Sequence, residues 1–150
     1  MAGSLLRGMV AGAAGTVALD AATYADMALR GRPASGVPAE VASRLAGKAG
    51  LDLSAGGEEA TANRKGGLGA LLGLATGVGL GAAYGLLGRR GTLWDGAALG
   101  LAAMAASDVP AAALGVTDPR GWGTEAWASD LVPHLLYGAA TAAAWRALRG

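Results

Sequence analysis

The sequence predicts an all-α membrane protein with four transmembrane helices in an up-down bundle and a short amphipathic helix in the first loop. Three observations lead to this prediction. No charged residue occurs over residues 66–88, a stretch long enough to cross a hydrocarbon core of about 30 Å as a helix. Only 15% of the 150 residues are charged, and 53% are hydrophobic. Glycine occurs 27 times, and membrane helices use small residues to pack closely.

The same composition excludes several other classes of protein. The chain contains no cysteine, so it has neither a disulfide framework nor a thiolate metal site. Its mean hydropathy of +0.39 is too high for an intrinsically disordered chain, and its glycines lack the G-X-Y period of collagen. The formal net charge of +1 gives no basic field for nucleic acid, so we expect no nucleic-acid partner.

The first predicted span covers residues 5–29 and is interrupted by Asp20 and Asp26. A cleaved signal peptide is the alternative for this segment, because Arg7 and the apolar run after it resemble the first two regions of such a peptide. Asp20 falls where that run should end, and apolar residues continue beyond it. We therefore favour a membrane span.

A long polar loop is predicted over residues 31–65. Inside it, Val37, Val41 and Leu45 recur every four residues, and Pro38 suits the first turn of a helix. This spacing predicts a short amphipathic helix that lies on the membrane surface or against the bundle. Residues 54–66 have the composition of a flexible linker.

The second predicted span, residues 66–88, ends at a tight turn that carries Arg89 and Arg90. Five of its glycines are spaced four residues apart and are predicted to form one stripe along the helix: Gly69, Gly73, Gly77, Gly81 and Gly85. A stripe without side chains lets another helix approach closely. Two interpretations remain open, namely helix packing within one chain and packing against another subunit of an oligomer.

The third and fourth predicted spans cover residues 93–116 and 131–148. The third contains Asp108 and the fourth contains His134. Aromatic residues close to the predicted span ends are typical of an aromatic belt: Trp94, Trp122, Trp127, Tyr137 and Trp145. We assign residues 1–150 to a single membrane domain. The distribution of arginine and lysine leaves its orientation open, with a slight preference for cytoplasmic termini.

Ionisable residues inside the predicted spans are the candidates for function, because each needs a partner or a water-filled cavity. In an up-down bundle Asp20, Asp108 and His134 fall in the same half of the membrane. The predicted proton or ion site comprises Asp20, Tyr24, Asp108, Asp130 and His134. Polar contacts that only fix helix packing are the alternative, and a ligand-binding cavity is a further one. The sequence has no catalytic signature and no helix with a paired metal-ligand motif, so we expect no catalytic residue, metal or cofactor.

Three segments of the second half of the chain stand out: Asp108-Val109-Pro110, Gly115-Val116-Thr117-Asp118-Pro119 and Ser129-Asp130-Leu131-Val132-Pro133-His134-Leu135. In these segments the chain resembles the YagU-like bacterial inner-membrane proteins. The segments lie within residues 108–135, and Asp118 and Pro133 depart from the family pattern. The whole chain also resembles small four-span proteins of high-GC bacteria that carry an RGRPAS loop, here residues 30–35. These resemblances imply a multi-pass protein of the bacterial cytoplasmic membrane and a link to acid tolerance.

The expected function follows from these features. The sequence indicates a small oligomeric channel, a transporter or a subunit of a membrane complex, with the lipid bilayer and a second copy or another membrane protein as partners. A structural scaffold, in which the polar cluster only fixes helix packing, is the alternative. A protein that binds or modifies lipid is a further alternative.

Overall fold

A computed structural model describes residues 1–88 and 90–149, and within them the chain is all α-helical with no strand. The helices are α1 (Ala2–Arg30), α2 (Val37–Lys48), α3 (Gly57–Leu86), α4 (Leu93–Ala113) and α5 (Thr124–Arg149), with a short 3-10 turn at Pro119–Gly121. Of the predicted Arg89-Arg90 turn, Arg89 lies outside the described residues.

Within the described part of the chain, three helices are long and apolar enough to cross a membrane: α1, α3 and α4. The fourth predicted span, residues 131–148, lies within α5, which has 26 residues but does not reach the same apolar character. The reason is visible in its sequence, because His134, Pro133 and Arg146 interrupt the apolar residues.

The prediction of a flexible linker over residues 54–66 was wrong, and the polar loop 31–65 is shorter than predicted. Helix α3 begins at Gly57, with Glu58 and Glu59 in its first turn. Carboxylates stabilise a helix at its amino end, where the helix dipole is positive. These two residues therefore favour a helix in a segment that its glycines alone would leave flexible.

The third predicted span also ends earlier than residue 116, because α4 stops at Ala113. Gly115 adopts the left-handed conformation with φ of 66°, which glycine tolerates better than other residues. The amide of Val116 then donates to the carbonyl of Ala111, and the amide of Gly115 donates to that of Ala112. This pair of hydrogen bonds is a common helix stop.

Helix α2 occupies part of the predicted polar loop and packs against α3 and α4. Its buried residues are Val41, Ala42 and Ala46, whereas Leu45 of the predicted stripe is 42% exposed. Four-residue spacing rotates about 40° around a helix at each step, which turns Leu45 away from the packed face.

Polar contacts fix α2 to its neighbours. Glu40 forms ion pairs with Arg44 at 3.0 Å and with Lys65 of α3 at 3.5 Å. The pKa of the Glu40 carboxyl lies below its usual value because Arg44 donates a hydrogen bond to it and Lys65 is close. Arg44 Nη1 also donates to the Leu114 carbonyl at the end of α4, at 2.9 Å.

The four long helices alternate in direction, and neighbours in space are not always neighbours in sequence. Helix α1 packs against both α3 and α5, and α5 packs against α4, whereas α3 and α4 touch only slightly. We call the end that holds both chain termini the termini end. It contains residues 1–8, 84–88, 90–96 and 142–149. The opposite end, with α2 and the residues 114–130, is the loop end.

Glycines set the distance between these helices. A Cβ atom added at Gly12 of α1 would lie 2.5 Å from the Gly77 carbonyl oxygen of α3, and the backbones of Gly81 and Gly85 also meet α1. Gly69 instead faces Pro38 and Ala39 of α2, and no atom lies within 4 Å of a Cβ at Gly73. Four of the five stripe glycines thus contact other helices of the same chain.

Two aromatic residues predicted to belong to an aromatic belt lie in the core instead. Tyr137 is 1% exposed and Trp145 is 2% exposed, whereas Trp94 is 83% exposed. Tyr137 Oη donates a hydrogen bond of 2.7 Å to the Gly77 carbonyl of α3, and Trp145 makes an edge contact with Tyr84. The glycine-rich helices leave room that these large rings fill.

The glycine contacts predict a difference between two neighbouring positions of α3. We expect Gly81→Ala to lower the free energy of unfolding by about 1–3 kcal/mol, because the added methyl group overlaps the α1 backbone. Gly79 has open space around it, so Gly79→Ala should be neutral or stabilising by up to about 1 kcal/mol. Reversible unfolding in mixed detergent micelles, followed by circular dichroism, measures both. Equal effects at the two positions would contradict this packing.

Candidate functional site

Three of the predicted site residues come together between α4 and α5. Asp108 lies near the end of α4, and Asp130 and His134 lie in the first half of α5. The two helices meet closely at Gly100, where an added Cβ would lie 2.6 Å from the His134 carbonyl oxygen. We call Ser107, Asp108, Asp130 and His134 the α4–α5 polar cluster.

The imidazole of His134 is the centre of this cluster, and its side chain is 13% exposed. Nδ1 lies 2.8 Å from the Asp130 carbonyl oxygen and 3.5 Å from Asp130 Oδ1. Because a carbonyl oxygen only accepts hydrogen bonds, Nδ1 carries a hydrogen in this geometry. Nε2 faces Ser107 Oγ of α4 at 3.4 Å. The ring therefore links the two helices.

Asp108 and Asp130 place two carboxyl groups next to each other at this position. Asp130 Oδ2 is buried and accepts no hydrogen bond from the described residues. Two carboxylates in contact repel each other, so a shared proton, a cation or a protonated imidazole stabilises the arrangement. The cluster is thus suited to holding positive charge.

Ser107 is a member of the cluster that sequence reasoning missed. Its Oγ lies 2.8 Å from the Met104 carbonyl oxygen, 3.4 Å from Asp108 Oδ1 and 3.4 Å from His134 Nε2. The available signal was a hydroxyl directly beside a carboxylate in an apolar helix, since such residues often hydrogen-bond across membrane helices.

Asp20 and Tyr24, which were also predicted to belong to the site, are not in contact with it. Asp20 lies on an exposed face of α1, and Tyr24 is 62% exposed. In the described structure the Asp20 side chain has no hydrogen bond or ion pair. The physical reason is rotation along α1: four-residue steps from Gly12 turn about 40° each, which carries Tyr24 about 120° away from the glycine face.

A second polar group, an ion-pair clasp, joins α1 to α5 at the loop end. Arg30 pairs with Asp26 and with Glu125 of α5, and it also donates to the Ser129 hydroxyl. Arg32 pairs with the same Asp26 carboxylate. Asp26, predicted as a charge within the first span, is thus neutralised at the end of its helix.

No set of three histidine, aspartate or glutamate side chains in residues 1–88 and 90–149 is arranged to hold a metal ion. Comparison with known protein families, with curated proteins and with solved structures finds no match to this chain. The resemblance to the YagU-like proteins therefore stays a prediction.

The geometry predicts energetic coupling inside the cluster and none outside it. In a double-mutant cycle, we expect Ser107→Ala and His134→Ala to couple by about 0.6 kcal/mol, a typical value for an interhelical hydrogen bond in a membrane protein. Asp20→Asn and His134→Ala should be additive, because Asp20 lies apart from the cluster. Unfolding free energies in mixed micelles provide both cycles. Coupling of Asp20 as strong as that of Ser107 would contradict the arrangement.

Proposed function

We propose that this chain is a multi-pass protein of the bacterial cytoplasmic membrane and that its α4–α5 polar cluster binds and transfers protons. In this proposal α1, α3, α4 and α5 all span the bilayer, and the protein acts as a small channel or transporter. A cation carried at the same carboxylates is the closest variant. The composition of α1, α3 and α4 supports the membrane location.

One observation carries the proposal, namely that His134 lies between a partly buried carboxylate and a hydroxyl at the contact of two helices, α4 and α5. Its Nδ1 faces Asp130 and its Nε2 faces Ser107. Ionisable groups within a membrane are costly, and where they occur they mark ion or proton pathways. Asp130, with a side chain 25% exposed, leaves one carboxylate oxygen able to accept a proton or bind a cation.

The direction of the hydrogen bond between the Ser107 hydroxyl and His134 depends on the charge state of the imidazole. The hydroxyl has one hydrogen, and its shortest contact is the Met104 carbonyl at 2.8 Å. When Ser107 donates there, its oxygen can accept from Nε2 only if the imidazole is doubly protonated. When the ring is neutral, the hydroxyl must rotate to donate to Nε2. Loading and release of one proton therefore couple to one side-chain rotation.

The membrane position of the remaining elements follows from the same proposal. Large apolar side chains point outward from the long helices, including Leu71, Leu101 and Val109, which are 61%, 52% and 64% exposed. In a bilayer these side chains contact lipid. We place α2 at the interface, where its charged residues reach water while its buried residues pack on α3.

A scaffold is the second candidate, and the same hydrogen bonds favour it, since they join α4 to α5. In that case the cluster fixes helix packing and a second copy of the chain, or another membrane protein, covers the exposed apolar faces. Gly73, where an added Cβ would have no atom of another described helix within 4 Å, then lies on the surface that the partner covers.

Proton flux into liposomes separates the two candidates. We expect wild-type protein to acidify a pyranine-loaded vesicle under an imposed proton gradient. Asp108→Asn combined with His134→Ala should reduce this flux by about 100-fold, the usual contribution of a positioned proton-transfer group. Asp52→Asn, which removes a carboxylate of an exposed loop, is the matched control and should leave the flux unchanged. Flux that survives the double substitution in a folded protein would leave the scaffold as the better explanation.

A further inference from the structure

The basic residues are distributed differently at the two ends of the bundle. Among the described residues, the termini end holds four arginines and one acidic side chain, Asp95. The arginines are Arg7, Arg90, Arg146 and Arg149. Asp95 is 7% exposed and belongs to the capping box of α4 with Thr92. This end therefore presents a strongly positive face.

Two arginines of this face differ in pairing from three arginines of the loop end. Arg7 and Arg90 are exposed and make no ion pair or hydrogen bond with the described residues. At the loop end, by contrast, Arg30, Arg32 and Arg44 each pair with a carboxylate. Basic groups without carboxylate partners in the protein are available to an anion outside it.

A small cavity opens on this basic face between α4 and α5. Its volume is about 170 Å³, several times the roughly 30 Å³ that a water molecule occupies in the liquid. Arg146 lines it together with the loop residues Gly91 and Thr92 and the first residue of α4, Leu93. Arg146 Nη1 lies 3.4 Å from the Gly91 carbonyl oxygen, and most of the five N–H donors of this guanidinium make no hydrogen bond with the described residues.

Apolar side chains at the start of α4 face outward beside the cavity, where Leu93 lines it and Trp94 is the next residue along the chain. Leu93 is 78% exposed and Trp94 is 83% exposed. Exposed tryptophan is typical of the level at which lipid headgroups meet acyl chains. A ligand that fits this surface combines an anionic group for Arg146 with an apolar portion for Leu93 and Trp94. The amino end of α4 does not serve this purpose itself, because Thr92 and Asp95 already cap it.

We propose that the cavity at Arg146 binds the phosphate group of an anionic phospholipid, with Arg90 contributing from the adjacent turn. The proposal rests on the membrane location given under the proposed function but not on proton transfer. It implies that the termini end faces a leaflet that contains anionic lipid.

Native mass spectrometry of the full-length protein released from nanodiscs tests this proposal. The probe lipids are phosphatidylglycerol, which is anionic, and phosphatidylcholine, which is zwitterionic. We expect preferential retention of phosphatidylglycerol. In Arg146→Gln the affinity for this lipid should fall about fivefold, which is the contribution of one basic residue to binding at an anionic surface. Arg90→Gln serves as a second variant at an exposed position if Arg146→Gln does not fold.

Arg120→Gln is the matched control, because Arg120 is an exposed arginine at the loop end, and it should retain wild-type lipid binding. Equal retention of both lipids, or an equal loss in Arg120→Gln, would overturn the proposal. Inorganic phosphate that displaces phosphatidylglycerol at low millimolar concentration would identify a site for free anions and would also overturn it. Extraction of cell membranes with alkaline carbonate checks the membrane location separately. A protein that resists extraction but shows no lipid preference disproves the lipid site alone.

Discussion

The close approach of α1 to α3 and α5 is the constraint on which the rest of the structure depends. Gly12 of α1 lies against the backbone of α3, and Gly15 lies against Tyr137 and Thr141 of α5. Without side chains at these positions, the helices come near enough for dispersion forces along the whole contact to hold them together, the main source of helix association in lipid. The same approach brings Tyr137 within hydrogen-bonding distance of the Gly77 carbonyl. A core of glycine, alanine and a few large rings is thus sufficient for a chain with no phenylalanine.

Because α1 occupies the centre of the arrangement, α4 is held mainly by α5. That pairing produces the polar cluster, since Gly100 allows the α4 backbone to reach the turn of α5 that carries His134. The charges of the chain are accordingly separated into three zones. Carboxylates with a histidine lie between the helices, the ion pairs of Arg30, Arg32 and Arg44 lie at the loop end, and the exposed Arg7 and Arg90 lie at the termini end. The net charge of +1 does not indicate this separation, because it only sums the charges of the whole chain.

The sequence predicted which segments are helical more accurately than which side of each helix packs against a neighbour. The charge-free run 66–88 and the apolar segments around it identified the long helices, because length and hydropathy depend only on composition along the chain. The predicted packing faces were less accurate wherever residues four positions apart were assumed to form a straight stripe along the helix. Over the sixteen residues from Gly69 to Gly85 the drift is about 160°. For this reason Gly69 meets α2, Gly73 meets nothing within 4 Å and Gly85 meets α1. The same rotation separates Asp20 and Tyr24 from the polar cluster.

The sequence by itself determined that the chain is helical, apolar and rich in glycines that allow close helix contacts, and it identified Asp20, Asp108 and His134 as residues in need of partners. Only the tertiary structure decided which partners they have. Pairing between helices depends on the angle at which each residue faces its neighbour and on the order of helices in space, neither of which is encoded in local spacing. The inclusion of Ser107, the burial of Tyr137 and Trp145 and the cavity at Arg146 all follow from that order, because each depends on residues distant in sequence.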